Sequence, residues 1–426
     1  MIKLPPWLAK HLPDQALAFD ISVIFGGFSL QLITQMGWLL LAVRTLGPDG
    51  YGIFASLTGL TVAIGCFVGW GSGALLTRGV AAHPETLRDW MGHGLIAITV
   101  TALLFGALAS VALPLVNFGP VVGRYLIAVL IADLLFGRMA SLCVNIHMAT
   151  GNSRRQSSVT VITGTTRLVA IALAAVTNDK LTLTIWVWWY LASSALGAAI
   201  CLGQVVREHG WPHWRWMGAS LREGFTFSAE TAVQSALKDL DKPIVLQLLG
   251  ATAAGHYATA FRVTDTLVMP LYALAYATYG KMFRKAAVSV AECLAYALKL
   301  LPLALAMGAA VGVGALVGAG LLPLVFGRAY YELPWLVRML SPMPILLGVF
   351  MLGADALSAT GHQSKRLLLV SVSLAATLLA LPWAIEQAGL VGAVLVRLGA
   401  SLVTAGAVWM LLPWSDHSWR QGEGRN

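Results

Sequence analysis

Charge is what this sequence has least of. Only 11% of its 426 residues are Asp, Glu, Lys or Arg, against about 25% in ordinary soluble domains. Hydrophobic residues make up 58%. That imbalance excludes a soluble globular domain and predicts an all-α polytopic membrane protein. Cysteine is scarce too. Cys66, Cys143, Cys201 and Cys293 lie in or beside apolar segments, with no CxxC and no cluster. Neither disulfides nor a metal site is expected from them. The patterns HExxH, GxSxG and GxxxxGKS/T are missing, so no motif implies a metal or nucleotide cofactor. Connections between the apolar runs are too short for a nucleotide-binding domain, which excludes an ATP-driven pump in this chain alone. No basic stretch interleaved with aromatics suggests nucleic acid. The net charge of +9 fits the Lys and Arg enrichment of cytoplasmic loops instead.

The chain opens on a segment, Met1 to Ala18, broken by Pro5, Pro6 and Pro13. It reads as an interfacial lead-in anchored by Trp7, not as a signal peptide. Apolar runs of spanning length, about 20 residues each, then follow. They are placed at 19–43, 51–77, 94–117, 121–149, 156–177 and 182–206, then at 222–249, 254–280, 294–318, 333–360, 366–385 and 389–412. Twelve transmembrane helices are therefore predicted. Laid out alternately, the connections put sixteen Lys and Arg residues on one side. Only Arg44, Arg124, Lys180 and Arg328 fall on the other. By the positive-inside rule both termini are cytoplasmic. Trp186, Trp188, Trp189 and Tyr190 then fall at the outer boundary, where interfacial aromatics belong.

The sequence repeats itself. Leu46 to Ala55 (LGPDGYGIFA) and Leu249 to Ala258 (LGATAAGHYA) share LG, four residues, G, one residue, an aromatic and A. The same offset of 203 pairs Gln31 with Gln234 and Arg78 with Lys281. Further on, ATGNSRR at Ala149 resembles ATGHQSKR at Ala359, with one insertion. Two motifs in the same order imply two homologous halves of six helices, 1–206 and 222–426. The halves are joined by an amphipathic, Trp-rich link at 207–221. An even helix number makes the repeats parallel, related by an axis along the membrane normal. Gly47 and Gly250 follow helix ends, where a left-handed residue stops a helix at little cost. Gly52 and Gly255 begin the next helices, where small residues permit close approach.

One stretch carries most of the intramembrane charge. From Arg222 to Gly250 it places Glu230, Gln234, Lys238 and Asp241 or Lys242 at steps of four or three, on one helix face. Ionisable groups in hydrocarbon cost a few kcal/mol and face protein or a water-filled cavity. The polar face therefore lines a cavity, or else forms ion pairs that lock helices together. Arg138, Arg167, Lys238, Lys242 and Arg262 lie at mid-membrane depth, with Arg397 nearer the outer end. The acids at depth are Asp133, Glu230, Asp239, Asp241 and Asp265. Arg262 has Asp265 three residues away, and Lys238 has Asp239 and Asp241 within reach. Arg138 and Arg167 have no acid at i±3 or i±4, which makes them the better ligand candidates. Gln31, Thr34 and Gln35 can hydrogen-bond sugar hydroxyls or serve as polar glue between helices.

Several stretches together resemble a known family: LAVRTLGPDGYGIFASLTGL, GATAAGHYATAFRV, LLPLVFGRAYYELPWLVRML, and ATGHQSKR before the penultimate helix. They are similar to the Wzx-type polysaccharide-unit flippases of the multidrug/oligosaccharidyl-lipid/polysaccharide exporter superfamily. The likeness runs from about Phe19 to Leu412. It implies two helical bundles around a central, cation-lined cavity. It also implies movement of an undecaprenyl-diphosphate-linked oligosaccharide from the cytoplasmic to the periplasmic leaflet of a bacterial inner membrane. The partners implied are that lipid-linked oligosaccharide, the bilayer and other polysaccharide assembly proteins. Two departures stand out. The two extra helices of the lipid II flippase branch are missing, and no cation site of the drug-efflux branch can be matched.

On that reading Arg138, Arg167, Lys238, Lys242, Arg262, Arg397, Gln31 and Gln35 bind the substrate. An anionic diphosphate suits several cationic donors, Arg above all through its planar fork. Glu230, Asp241 and Asp265 either couple transport to a proton or Na⁺ gradient or neutralise neighbouring cations. Asp239 and Asp133 are counted with them. A drug or small-molecule antiporter of the same superfamily is the alternative within transport. A lipid-linked glycosyltransferase or ligase is the competing enzyme class. It would carry a long periplasmic loop with acids or histidines, which this chain lacks, and its one DxD (Asp239–Leu240–Asp241) lies inside a predicted span.

Overall fold

The computed structural model describes residues 15–115, 120–178, 180–217 and 221–412. Most of the lead-in lies outside the described residues, as do the side chains of Gln31 and Glu230. The described residues are helical almost throughout and contain no strand. They form two compact units. The first is Met1–Thr45 with Ile64–Ala229; the second is Leu46–Ala63 with Glu230–Asn426. The stretch 46–63 thus packs with the second unit, although it lies in the first half of the sequence.

The chain begins with α1 (Gln15–Gly65), α2 (Ser72–Ala82) and α3 (Leu87–Leu115). α4 (Pro120–Leu130) passes through a π-helical segment, Ile131–Gly137, into α5 (Arg138–Ala149). α6 (Ser153–Thr177) and α7 (Leu183–His209) follow, then α8 (Leu221–Asp239) and α9 (Asp241–Leu267). The rest is α10 (Met269–Val288), α11 (Val290–Gly318), the short α12 (Leu322–Phe326) and α13 (Leu333–Met339), then α14 (Met343–Ala359) and α15 (Gln363–Met410). α1, α9 and α15 are each broken at one glycine, Gly47, Gly250 and Gly389. With those breaks counted as boundaries, the described helices fall into the twelve successive stretches expected. Seven helices are individually long and apolar enough to cross a membrane, and α13 with α14 makes an eighth, bent by 41°. Their flanks expose large apolar side chains such as Val176, Leu379 and Met410, which suits lipid and not water.

Local chemistry explains the boundaries. Asn152, Thr182 and Ser289 cap α6, α7 and α11, accepting from the backbone N–H of Arg155, Ile185 and Glu292. Gly47 (φ 64°, ψ −179°) and Gly250 (φ 84°, ψ 179°) take positive φ as expected. Their ψ is extended and not left-handed helical, a region essentially reserved for glycine. Helix therefore resumes at the next residue instead of after a loop.

Two expectations need correction. The expected span at 51–77 is interrupted at 66–71, where Gly69, Trp70 and Gly71 all have positive φ. The expected helix 222–249 ends at Asp239 and restarts at Asp241. Pro243 is the cause, because it has no N–H to offer the carbonyl of Asp239 and its ring crowds that group. The aromatic group near 186–190 divides by burial. Trp188 is exposed, but Trp186 and Tyr190 are buried against Trp38 in the first unit.

Candidate functional site

The break at Leu240 organises the charges of the second unit. The last carbonyls of α8 have lost their helical partners. Lys242 Nζ donates to the Lys238 carbonyl at 3.0 Å, and Arg397 Nη1 donates to that of Leu237. Lys242 also pairs with Asp239. Arg397 Nε lies 3.3 Å from Asp241 Oδ2, which accepts from the Tyr257 hydroxyl at 2.8 Å. The Arg397 guanidinium stands 5.5 Å from the Phe261 ring. Asp241 and Arg397 are both buried, so this is a desolvated ion pair. Breaking such a pair by removing one partner costs about 3–5 kcal/mol.

Beside it lies a cavity of about 160 Å³ within the second unit. Its charged lining is Lys238, Arg366, Arg397 and Asp265. Gln234, Tyr272, Ser373, Ser401 and Thr404 add polar groups, and Leu346, Leu347, Phe350 and Val370 are among its apolar walls. Lys238 is exposed, with its ammonium 5.6 Å from the Tyr272 ring. Among the described residues no carboxylate lies within ion-pair distance of it. Arg366 donates to the Ser358 hydroxyl at 2.9 Å. The acids that balance Arg397 and Arg366, Asp241 and Asp355, are buried and do not line the cavity. Among the described residues the lining thus presents three cations and one acid, with Asp241 and Asp355 behind two of the cations. That arrangement can hold an anion of phosphate type through charge-assisted hydrogen bonds, with hydroxyls left for sugar oxygens.

Arg262 sits in a separate cluster of the same unit. It interacts electrostatically with Tyr51, Asp239 and Asp265. Gly59 packs close to the Asp239 carbonyl that Pro243 leaves free, and the Ser56 hydroxyl donates to the Lys242 carbonyl at 3.1 Å.

In the first unit, Arg167 lines a pocket of about 230 Å³ with Ser141, Thr160, Thr163, Ser193 and Ser194. Its Nη2 donates to Ser194 Oγ at 3.3 Å, and its guanidinium lies 4.7 Å from the Tyr190 ring. Asp133 Oδ1, on the π-helical segment, is 3.9 Å away and accepts from the Tyr190 hydroxyl at 2.5 Å. Arg138 packs against Gly65 and donates to Cys66 Sγ at 3.6 Å. Gln35 is exposed.

The sequence-level assignments therefore divide. Gln234, Lys238, Asp265 and Arg397 share one cavity. Lys242, Asp239 and Arg262 form the neighbouring cluster, and Asp241 is locked to Arg397. Arg167 is not free of acids, because Asp133 reaches it from another helix; spacing along one helix cannot reveal such a partner. The single polar face expected from Glu230 to Lys242 is cut by the turn at Leu240. Beyond the turn, Asp241 and Lys242 are buried. Arg366 was missed. The sequence placed it at the very start of the predicted span 366–385 and among the basic residues of one membrane side, whereas it stands in the first turn of α15 and lines the cavity. Its place directly after ATGHQSK, at a helix start, was the one available signal.

Residues 17–282 match the family described as polysaccharide biosynthesis protein. No curated protein matches the chain. Among solved structures, an inward-facing multidrug resistance MATE family transporter of the MOP superfamily gives a TM-score of 0.75 at 13% identity, covering 89% of this chain and 93% of that one. The Vibrio cholerae MATE transporter VcmN in its bent form gives 0.60 at 18% identity, over 92% and 96%. A Pyrococcus furiosus transporter of the MOP superfamily, whose reverse pocket polarity suggests a different function for it, gives 0.60 at 16% identity, over 92% and 93%. At these identities the likeness establishes the fold.

Proposed function

The chain belongs to the polysaccharide biosynthesis protein family, and on that premise we propose that it moves a polyprenyl-diphosphate-linked oligosaccharide across a bacterial cytoplasmic membrane. The observation that carries this reading is Lys238, exposed on the cavity lining beside Arg366 and Arg397, with no carboxylate within ion-pair distance of it among the described residues. A diphosphate supplies the complementary charge, and the polar side chains around it suit a saccharide. The lipid tail stays in the bilayer while head group and sugars enter. Three moderate cationic contacts admit the head group and still release it, as alternating access requires. The sixteen-to-four division of basic residues supports an orientation with both termini cytoplasmic. The repeat motifs support two homologous halves joined through 207–221.

The fold is shared with MATE transporters, which favours a second reading, export of a drug coupled to a cation gradient. A cationic drug would meet the Lys238 ammonium on the cavity lining. The test is transport in vesicles containing the purified protein. A fluorescent polyprenyl-diphosphate saccharide is expected to change leaflet only when the protein is present, and less when Lys238 or Arg366 is alanine. Movement of cationic dyes with no movement of the lipid-linked saccharide would reverse the choice.

A further inference from the structure

We propose that the chain binds one divalent transition-metal ion, zinc in class, between His147, Glu208 and His209. These residues lie in the first unit, away from the cavities described. His147 is in the last turn of α5; Glu208 and His209 end α7. One ligand atom from each lies within 4.8 Å of the other two. His147 Nδ1 is 4.0 Å from Glu208 Oε2. For three atoms no further apart than 4.8 Å, a point exists within the side divided by √3, about 2.8 Å, of each. Zinc takes His nitrogen at about 2.0–2.1 Å and carboxylate oxygen at about 2.0–2.2 Å. Side-chain rotations of under an ångström close that gap.

The second observation is the state of the imidazoles. The His147 side chain is 0% exposed, and neither of its ring nitrogens has a hydrogen-bond partner. The Nε2 of His209 is buried and unpartnered as well. Buried polar atoms are nearly always paired, and two adjacent histidines that both break the rule share one missing partner. Packing alone gives no reason to place an orphaned imidazole there, since an apolar side chain would fill the space without the desolvation cost. A metal ion supplies a partner for one nitrogen of each ring at once.

The carboxylate is prepared in the same sense. Arg155 Nε holds Glu208 Oε1 at 2.7 Å, which fixes the group and leaves Oε2 facing His147. Ligating carboxylates are commonly held by such outer partners. Two imidazoles and one carboxylate suit first-row ions of the zinc type and not calcium or magnesium, which take oxygen ligands. His209 and Glu208 reach solvent, so a water can complete the coordination. The ion would staple the ends of α5 and α7 where the chain turns at Gly210 (φ 82°) into the segment bearing Trp211, Trp214 and Trp216.

The test uses the full chain in detergent, with any affinity tag removed, stripped by chelator and titrated with Co²⁺. One equivalent per chain is expected, with visible d–d bands that Zn²⁺ abolishes. His209→Gln and His147→Gln should each weaken binding by at least about tenfold. His83→Gln, at an exposed histidine elsewhere, should leave it unchanged. Should His147→Gln fail to fold, the partly exposed His209→Gln decides. Absence of stoichiometric uptake, or equal uptake by the wild type and His209→Gln, overturns the proposal.

Discussion

Gly52 and Gly255 make the same contact from equivalent places in the repeat. A Cβ on Gly52 would overlap the carbonyl of Ala251, and one on Gly255 would overlap that of Pro48. The offset of 203 carries Gly52 onto Gly255 and Pro48 onto Ala251, so the contact is reciprocal, as in a two-fold interface. Asp49 accepts from the Thr252 hydroxyl at the same junction, and these two are also repeat equivalents. The two copies of the LG motif thus pack on each other inside the second unit.

Gly52→Ala and Gly255→Ala should each destabilise the protein, because backbone and not a movable side chain is in the way. Overpacking typically costs about 1–3 kcal/mol. Thermal unfolding in detergent should show a lower Tm for both. Gly106→Ala, where a Cβ meets nothing within 4 Å, is the control and should not lower Tm. Equal stability of all three variants would refute the close approach.

Arg397 and Asp241 should behave as a coupled pair. Arg397→Gln alone leaves a buried carboxylate uncompensated and should cost about 3–5 kcal/mol. The double variant Arg397→Gln/Asp241→Asn should recover much of that loss. A double-mutant cycle on unfolding free energy measures it, and strict additivity would mean that the two groups do not interact.

At the cavity, charge should set affinity for the anionic head group. Lys238→Ala and Arg366→Ala each remove a charge-assisted donor, worth about 1.5–3 kcal/mol, so binding should weaken roughly ten- to a hundredfold. Asp265→Asn removes an acid from the lining and should tighten binding. If Asp265 also couples transport to an ion gradient, the same variant loses gradient-stimulated flipping. Isothermal titration with a polyprenyl diphosphate, beside a flipping assay with and without a gradient, separates the two effects.

Arg167 and Arg138 should part company. Arg167→Ala removes the guanidinium from beside Asp133 and the Tyr190 ring, so it should lower Tm as well as transport. Arg138→Ala leaves no carboxylate behind among the described residues and should change stability less. Arg167→Lys keeps charge but not the fork and should restore part of each loss. Identical Tm values for Arg167→Ala and the wild type would show that the Asp133 contact carries no stability.

Much of this protein was legible without coordinates. Hydropathy and length placed twelve helices, since every backbone group in a bilayer must be satisfied within its own helix. The repeat motifs and the glycines at 47, 52, 250 and 255 are local chemistry, which the order of residues determines. Partnership between charges was different. Spacing suggested Arg262 with Asp265 and left Arg167 alone, whereas the fold brings Asp133 to Arg167 and Asp241 to Arg397. Those pairs join helices far apart in sequence, and no period along one helix encodes them. For the same reason Arg366 reads as one of the basic residues of one membrane side until α15 is placed, and His147 and Glu208 as unrelated residues until α5 and α7 pack together. Sequence alone decided which segments enter the membrane. Only tertiary packing decided which charges meet inside it, because a buried ion is stabilised by whatever neighbour lies within a few ångströms, whatever its place in the chain.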